Sequence, residues 1–318
     1  MDDDAFPAYV ADRLAGLPAV QAVTLGGSRA EGTHRPDSDW DFSVYYRGRF
    51  DPQKLRDIGW PGEVSEVGGW SEGVFNGGAW LEIDNRKSDV HYRDLDVIDR
   101  EMAAAQEGRF SIEPLMFHLA GIPSYLVLAE LSVKHVLRGQ LPTPEYPAAL
   151  RQRAREVWWG RADLTFGYAR QFPARHGQLT QCVGLVAQAA SQGAHAVLAA
   201  RGEWITNEKT LLTRAGLRQV DEIIAGAGTE PAALLDIVDR TRAACLDALA
   251  VDYFAMGGCA WFASGSLLGW FTAGWVGWLT RVARRRGLRD GRRDRCRCPR
   301  AGRAWRRRGR RLDPRPAG

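Results

Sequence analysis

The sequence predicts an α+β fold, a small sheet with flanking helices over about residues 1–105 followed by an α-helical bundle over about residues 106–255. Three observations predict it. Up to Tyr92 the apolar residues come in short alternating or β-branched runs, and from Leu95 they recur with a period of about 3.6. Gly26-Gly27 and Asp84-Asn85 break the first part into strand-length pieces. No segment repeats with a period of about 20–50 residues, which sets solenoids aside.

Phe6, Tyr9, Val10, Leu14 and Leu17 are spaced for a leading helix, ended by Pro18. Residues 19–25 read as the first strand and Gly26-Gly27-Ser28 as a turn into a short helix. A second strand opens at Ser38-Asp39-Trp40-Asp41 and runs to Tyr46. Asp51, followed by Pro52, caps a helix reaching Gly59. The Gly- and Trp-rich stretch 62–80 is too broken for a long helix and reads as a loop with one edge strand. Residues 80–83 and 87–92 follow as strands on either side of Asp84-Asn85. Helices are then expected over 95–107, 124–139, 147–171, 179–201 and 231–254.

The chemistry concentrates in residues 23–46. Side chains on a strand alternate faces, so Asp39 and Asp41 place two carboxylates on one face beside the Gly-Gly-Ser turn. Such a pair must stay protonated, find cations or share a metal. Gly26 and Gly27 let backbone approach a ligand closely, and Ser28 begins a helix whose free N–H groups favour phosphate. Phosphate at the turn, with Mg²⁺ between it and the aspartates, satisfies both halves.

Gly27-Ser28, then Gly32, then Ser38-Asp39-x-Asp41 resembles the signature of the DNA polymerase β-like nucleotidyltransferase superfamily, in particular its small bacterial, antibiotic-modifying members. The motif likeness spans about residues 15–100, and a weaker helical likeness continues to about residue 250. The resemblance implies a mixed sheet and the transfer of an NMP from an NTP, usually ATP, to a hydroxyl of a small molecule or a protein. It also implies two Mg²⁺ ions clamping the attacking and leaving oxygens. Asp39 and Asp41 would hold both ions. A third carboxylate from a neighbouring strand would hold the ion on the acceptor side; Asp89 is the best match, with Glu82 and Asp84 as alternatives. Gly27 and Ser28 would bind the β- and γ-phosphates, with Arg29 as a further charge. In relatives a basic residue of the helical part reaches the triphosphate, and Lys209 is similar. Lys209 is expected in the first turn of a helix capped by Asn207, where the macrodipole disfavours a cation. The resemblance leaves open a non-catalytic partner module of the antitoxin type, and a site completed across a homodimer. The G-x-x-x-x-G-K-[ST] pattern does not occur around the turn, which argues against P-loop chemistry.

The net charge of +5 over 318 residues hides a division. Residues 281–318 hold 17 Arg and 3 Asp, so residues 1–280 carry a net charge of −9. An acidic body offers no general field for a nucleic-acid backbone. It suits a cationic small acceptor such as an aminoglycoside, for which Glu63, Glu66, Trp70 and Trp80 would line a pocket. The 12 Trp and 45% hydrophobic content supply a packed core. Cys182 and Cys245 read as buried thiols of a reducing cytoplasm, and the N-terminal residues carry no secretory signal.

The tail is a different text. Residues 256–280 are free of charge and contain four Trp, long enough to span a bilayer, and an Arg cluster follows. The Arg-rich end also fits a nucleic-acid tail. The absence of Lys, Glu, Ile and Asn after residue 280 equally fits a GC-rich gene read out of frame. All three readings stand, so the expected location is cytoplasmic, or membrane-anchored if residues 256–280 are genuine. Cys296-Arg297-Cys298 lacks the second pair a zinc site needs.

Overall fold

The computed structural model describes residues 2–70 and 74–255, with side chains to residue 250. The expectations for residues 256–318 lie outside them. In the first part come α1 (Phe6–Ala15), β1 (Val20–Leu25), the one-turn α2 (Gly27–Ala30), β2 (Trp40–Tyr46), α3 (Pro52–Arg56), β3 (Gly62–Val64), β4 (Gly78–Ile83), β5 (Arg86–Asp94) and α4 (Leu95–Gln106). The chain goes on through a small hairpin of β6 (Ile112–Glu113) and β7 (Ile122–Pro123), then α5 (Leu126–Val133) and β8 (His135–Arg138). After α6 (Ala148–Gln171) come a 3₁₀ turn at Ala174–His176, α7 (Leu179–Arg201), α8 (Leu211–Arg214), α9 (Gln219–Ala225) and α10 (Pro231–Ala255).

Local chemistry accounts for the element boundaries. The Asp51 carboxylate accepts the Gln53 N–H at 3.0 Å to start α3, and Asp94 does the same for Asp96 at 2.8 Å to start α4. Asp84 and Asn85 both take positive φ, 51° and 61°, and close the β4–β5 hairpin.

Six strands form one mixed sheet in the order β3-β4-β5-β2-β1-β8. Only β2 and β5 run parallel; the other pairs are antiparallel. The expected helix over 124–139 is corrected here. It stops at Val133, Lys134 is extended, and His135–Arg138 pairs with β1 as an edge strand. Apolar residues at helical spacing also suit a strand over so short a run. The open edge of β1 supplies hydrogen bonds, and Leu137 packs into the sheet's own core.

Both faces of the sheet centre are covered. On one side α1 turns Phe6, Val10 and Leu14 onto Val23, Phe42 and Val44, with Phe6 edge-on to Trp40 at 4.9 Å. Each such side chain contributes about 1.5–3 kcal/mol by leaving water. On the other side Ala22 and Tyr45 join the helical core built on Trp158, Phe166 and α7. Helix α7 is long and apolar enough to cross a bilayer, but 72% of its most apolar stretch is buried within the protein. Cys182 and Cys245 are free, buried thiols in this core.

Candidate active site

The alternation along β2 sends Trp40, Phe42, Val44 and Tyr46 into the α1 core and leaves Asp39, Asp41, Ser43 and Tyr45 for the other face. Along β5 the same alternation buries Ser88, Val90 and Tyr92 and presents Asp89, His91 and Arg93. Because β2 and β5 are parallel and in register, Asp41 stands directly opposite Asp89. The row continues outward, with Trp80 opposite Asp89 and Glu63 opposite Trp80.

The turn after β1 is built against Asp41. Gly26 N–H donates to the Asp41 carbonyl at 2.7 Å. Gly27 takes φ +60°, and a Cβ there would lie 2.7 Å from the Asp41 Cγ and nearer still to Oδ2. Only glycine meets both demands, the left-handed backbone and the close approach. Ser28 follows in α2, half-buried.

Electrostatics mark the same spot. Burial, together with the charges of Asp41 and Asp39, pushes the Asp89 carboxyl up to about 6, against the opposing pull of Lys209. Asp41 is also raised, by burial and by Asp39 and Glu130, with Lys209 and Arg29 opposing. Two carboxylates face each other here and want a cation. His91, one step along β5, is lowered to about 4 by burial and the Arg93 charge, and is neutral at pH 7.

Asp39 sits one residue ahead of β2 and is exposed. The three aspartates do not close into a compact metal cluster among the described residues. An open, all-oxygen set nonetheless fits Mg²⁺, which keeps waters and is held by one or two carboxylates plus substrate phosphates. Of the alternative third carboxylates, Glu82 lies on β4, one strand further out. Asp84 sits in the hairpin turn, paired with Arg86 at 2.7 Å.

Arg29 is committed elsewhere. Its Nε and Nη2 donate to the Ser38 carbonyl at 3.2 and 2.8 Å, and its guanidinium lies 4.0 Å over the Trp40 ring. It braces the loop that delivers Asp39. Lys209 stands in a turn ahead of α8, not in the first turn of a helix. Asn207 Oδ1 accepts the Lys209 N–H at 2.9 Å, and the helix begins only at Leu211. Lys209 therefore stands outside the reach of the α8 first turn and its dipole. Its charge nevertheless reaches Asp41 and Asp89 from the helical part.

Beyond Asp89 a cavity of about 450 Å³ is lined by Asp39, Trp80, Glu82, Lys87 and Asp89. Trp80 is 50% exposed and stacks on Trp70, ring centres 4.8 Å apart. Trp70 lies over Gly78, where a Cβ would meet its ring Cζ2 at 2.9 Å, and sets its edge to His91 at 5.9 Å. Glu63 shares this face, whereas Glu66 is drawn to Arg56 at 2.7 Å and lines a separate cavity with Tyr46 and Asp94. The sequence reading missed Glu130, whose charge is felt at Asp41 and His91. Its one signal was a lone carboxylate inside the apolar run of α5, since such a residue needs a partner.

Residues 9–76 match the family model of the nucleotidyltransferase domain, a span that contains Gly27, Ser28, Asp39 and Asp41. No match was found among curated proteins.

Proposed function

From a chain whose N-terminal part carries a polymerase β-like nucleotidyltransferase domain, we propose an enzyme that transfers an NMP from an NTP, ATP by preference, to a hydroxyl of a small cationic acceptor. The observation that carries the reading is the in-register pair of Asp41 and Asp89 beside a turn that only Gly27 fits.

Each residue has a task in an in-line displacement. Backbone N–H groups at Gly27 and Ser28 bind the terminal phosphates, and Lys209 adds positive charge from the helical side. Asp39, Asp41 and Asp89 would hold Mg²⁺, which when bound offsets phosphate charge and favours the ionised acceptor oxygen. The Asp89 carboxylate, opposite Asp41 and beside the acceptor cavity, takes the acceptor O–H proton. The acceptor oxygen then bonds to the α-phosphorus, and the bond from that phosphorus to the pyrophosphate oxygen breaks. The acceptor lies in the cavity beyond Asp89, with a ring against Trp80 and amines toward Glu82 and Asp39.

The test is pyrophosphate release from each NTP by the full chain with Mg²⁺ and a panel of aminoglycosides, with Asp41→Asn as the control. Acceptor-dependent release that disappears in the control supports the enzyme. Tight NTP binding with no turnover on any hydroxyl acceptor would favour the regulatory module, and folded protein that binds no NTP would overturn both readings.

A further inference from the structure

The cavity beyond Asp89 holds a charge that the transfer itself does not use. Lys87 lies two residues before Asp89 on the same face of β5, and both line the cavity. Glu82 stands directly opposite Lys87 on β4, as Trp80 stands opposite Asp89. Opposite charges so placed ordinarily pair. Here both side chains are exposed, and among the described residues neither takes part in an ion pair or a hydrogen bond.

Position separates Lys87 from the nucleotide. The sheet order places β2 between β1 and β5, so the Gly27-Ser28 turn, which follows β1, lies on the other side of Asp39 and Asp41 from Lys87. The groups around Lys87 are those of the acceptor side: Glu82, and the half-exposed Trp80 ring fixed by its stack on Trp70. With Asp39 and Asp89 engaged by a cation, Glu82 and Lys87 remain as the charged groups of the cavity, one of each sign. An acceptor carrying only positive charge would meet Lys87 as a repulsion. Two residues along a strand span about 7 Å, so Lys87 stands about one sugar ring away from the carboxylate that faces the acceptor hydroxyl.

We propose that the acceptor is a zwitterion, with an amine at Glu82, an anionic group (carboxylate or phosphate) at Lys87 and its ring against Trp80. The inference rests on the nucleotidyltransferase reading and narrows the cationic acceptor of that reading to one that also carries an anion. Glu82 and Lys87 are then the two poles that orient the ring, so that one hydroxyl of several faces Asp89. Lys87 decides which amine-bearing molecules are accepted.

The experiment measures, by calorimetry, binding of ring acceptors to the full chain with Mg²⁺ and α,β-methylene-ATP, whose bridge is not cleaved. The acceptors are glucosamine (amine alone), muramic acid (amine and carboxylate) and glucosamine 6-phosphate (amine and phosphate). Expected is tighter binding of muramic acid or of the phosphate than of glucosamine, by about 10-fold, the scale of one charge-assisted hydrogen bond. Which of the two binds better names the anion. Lys87 is exposed, so Lys87→Met should fold, and it should abolish the preference, whereas Lys87→Arg should retain it. Glucosamine bound as tightly as both zwitterions, or a preference that survives Lys87→Met, overturns the proposal. An equal loss for every acceptor in Lys87→Met would make Lys87 a support for the aspartates and overturn it as well. Binding of the ATP analogue with no binding of any of these acceptors overturns the proposal and leaves the transferase standing. A native chain that does not bind the analogue overturns the transferase reading and this inference with it.

Discussion

Arg93 holds Glu130 by two parallel hydrogen bonds, Nε to Oε2 at 2.6 Å and Nη2 to Oε1 at 2.7 Å. Arg93 is 1% exposed and lies on the Asp89 face of β5, four residues further along; Glu130 comes from α5. A third bond, Nη1 to the Tyr92 carbonyl at 2.9 Å, and the Phe75 ring 5.0 Å away complete its surroundings. The pair ties the helical part to the strand that carries Asp89. Burial alone would raise the Glu130 carboxyl, but the Arg93 charge and hydrogen bonds win and hold it below the usual range.

Removing one partner should cost more than removing both. Arg93→Met leaves a buried carboxylate without its partner and is expected to lose about 3–5 kcal/mol in urea unfolding. Arg93→Met/Glu130→Leu should recover much of that loss, because no charge remains to be desolvated. A double variant as unstable as the single one would show that packing, not charge burial, sets the cost.

Gly27→Ala tests the contact that positions Asp41. The new Cβ would overlap the Asp41 carboxylate, and the alanine would sit at φ +60°. Strain of this kind costs about 1–3 kcal/mol, and displacing a reacting group by about 1 Å costs about 100-fold in rate. Thermal unfolding and pyrophosphate release should register both losses in the same variant. Gly26→Ala is the comparison, since its Cβ would meet only the Asp41 carbonyl at an ordinary 3.7 Å.

His195 on α7 gives a pH prediction away from the site. It is 4% exposed and stacked on Trp158 at 4.3 Å, and neither ring nitrogen has a hydrogen-bond partner among the described residues. Burial, with a contribution from His118, pushes it down to about 3. The unfolded chain binds this proton near pH 6.5 and the folded chain does not, so stability is complete above 6.5 and falls as pH drops toward 3. The loss is about 1.4 kcal/mol per pH unit in that window. His195→Leu should reduce the slope in urea titrations between pH 6.5 and 5 by about 1.4 kcal/mol per pH unit, leaving the part that His91 contributes. An unchanged slope would mean that His195 protonates within the fold.

Much of this was legible because it is local. The alternation that turns Asp39 and Asp41 to one face, and the caps at Asp51 and Asp84-Asn85, depend on residues a few positions apart. So does the glycine pair that precedes Ser28. What was hidden depends on partners far along the chain. Residues 135–138 became a strand because β1 had an open edge, not because of their own spacing. Trp70 found its place through the bare backbone of Gly78, and Glu130 through Arg93. The Asn207 turn shows the opposite failure: its side chain does accept the Lys209 N–H, but it closes a turn and caps no helix, since α8 starts at Leu211 behind Thr210.

The repulsion between Asp41 and Asp89 yields the last prediction. The two carboxylates are neighbours in register, the Asp41 charge raises Asp89, Asp39 raises both, and burial denies them full hydration. Without a cation this is a local destabilisation kept for function. Asp89→Asn keeps the shape and removes one charge, so in chelator its thermal midpoint should exceed that of the native chain by about 2–4 °C. Millimolar Mg²⁺ should raise the native midpoint and narrow the gap, because a ligand bound only by the folded state stabilises it. Transfer by Asp89→Asn should fall by at least about 100-fold, the usual contribution of a positioned base. A variant no more stable than the native chain in chelator would mean that one carboxyl already carries the pair's proton at neutral pH. A native midpoint indifferent to Mg²⁺ would count against these aspartates as its ligands.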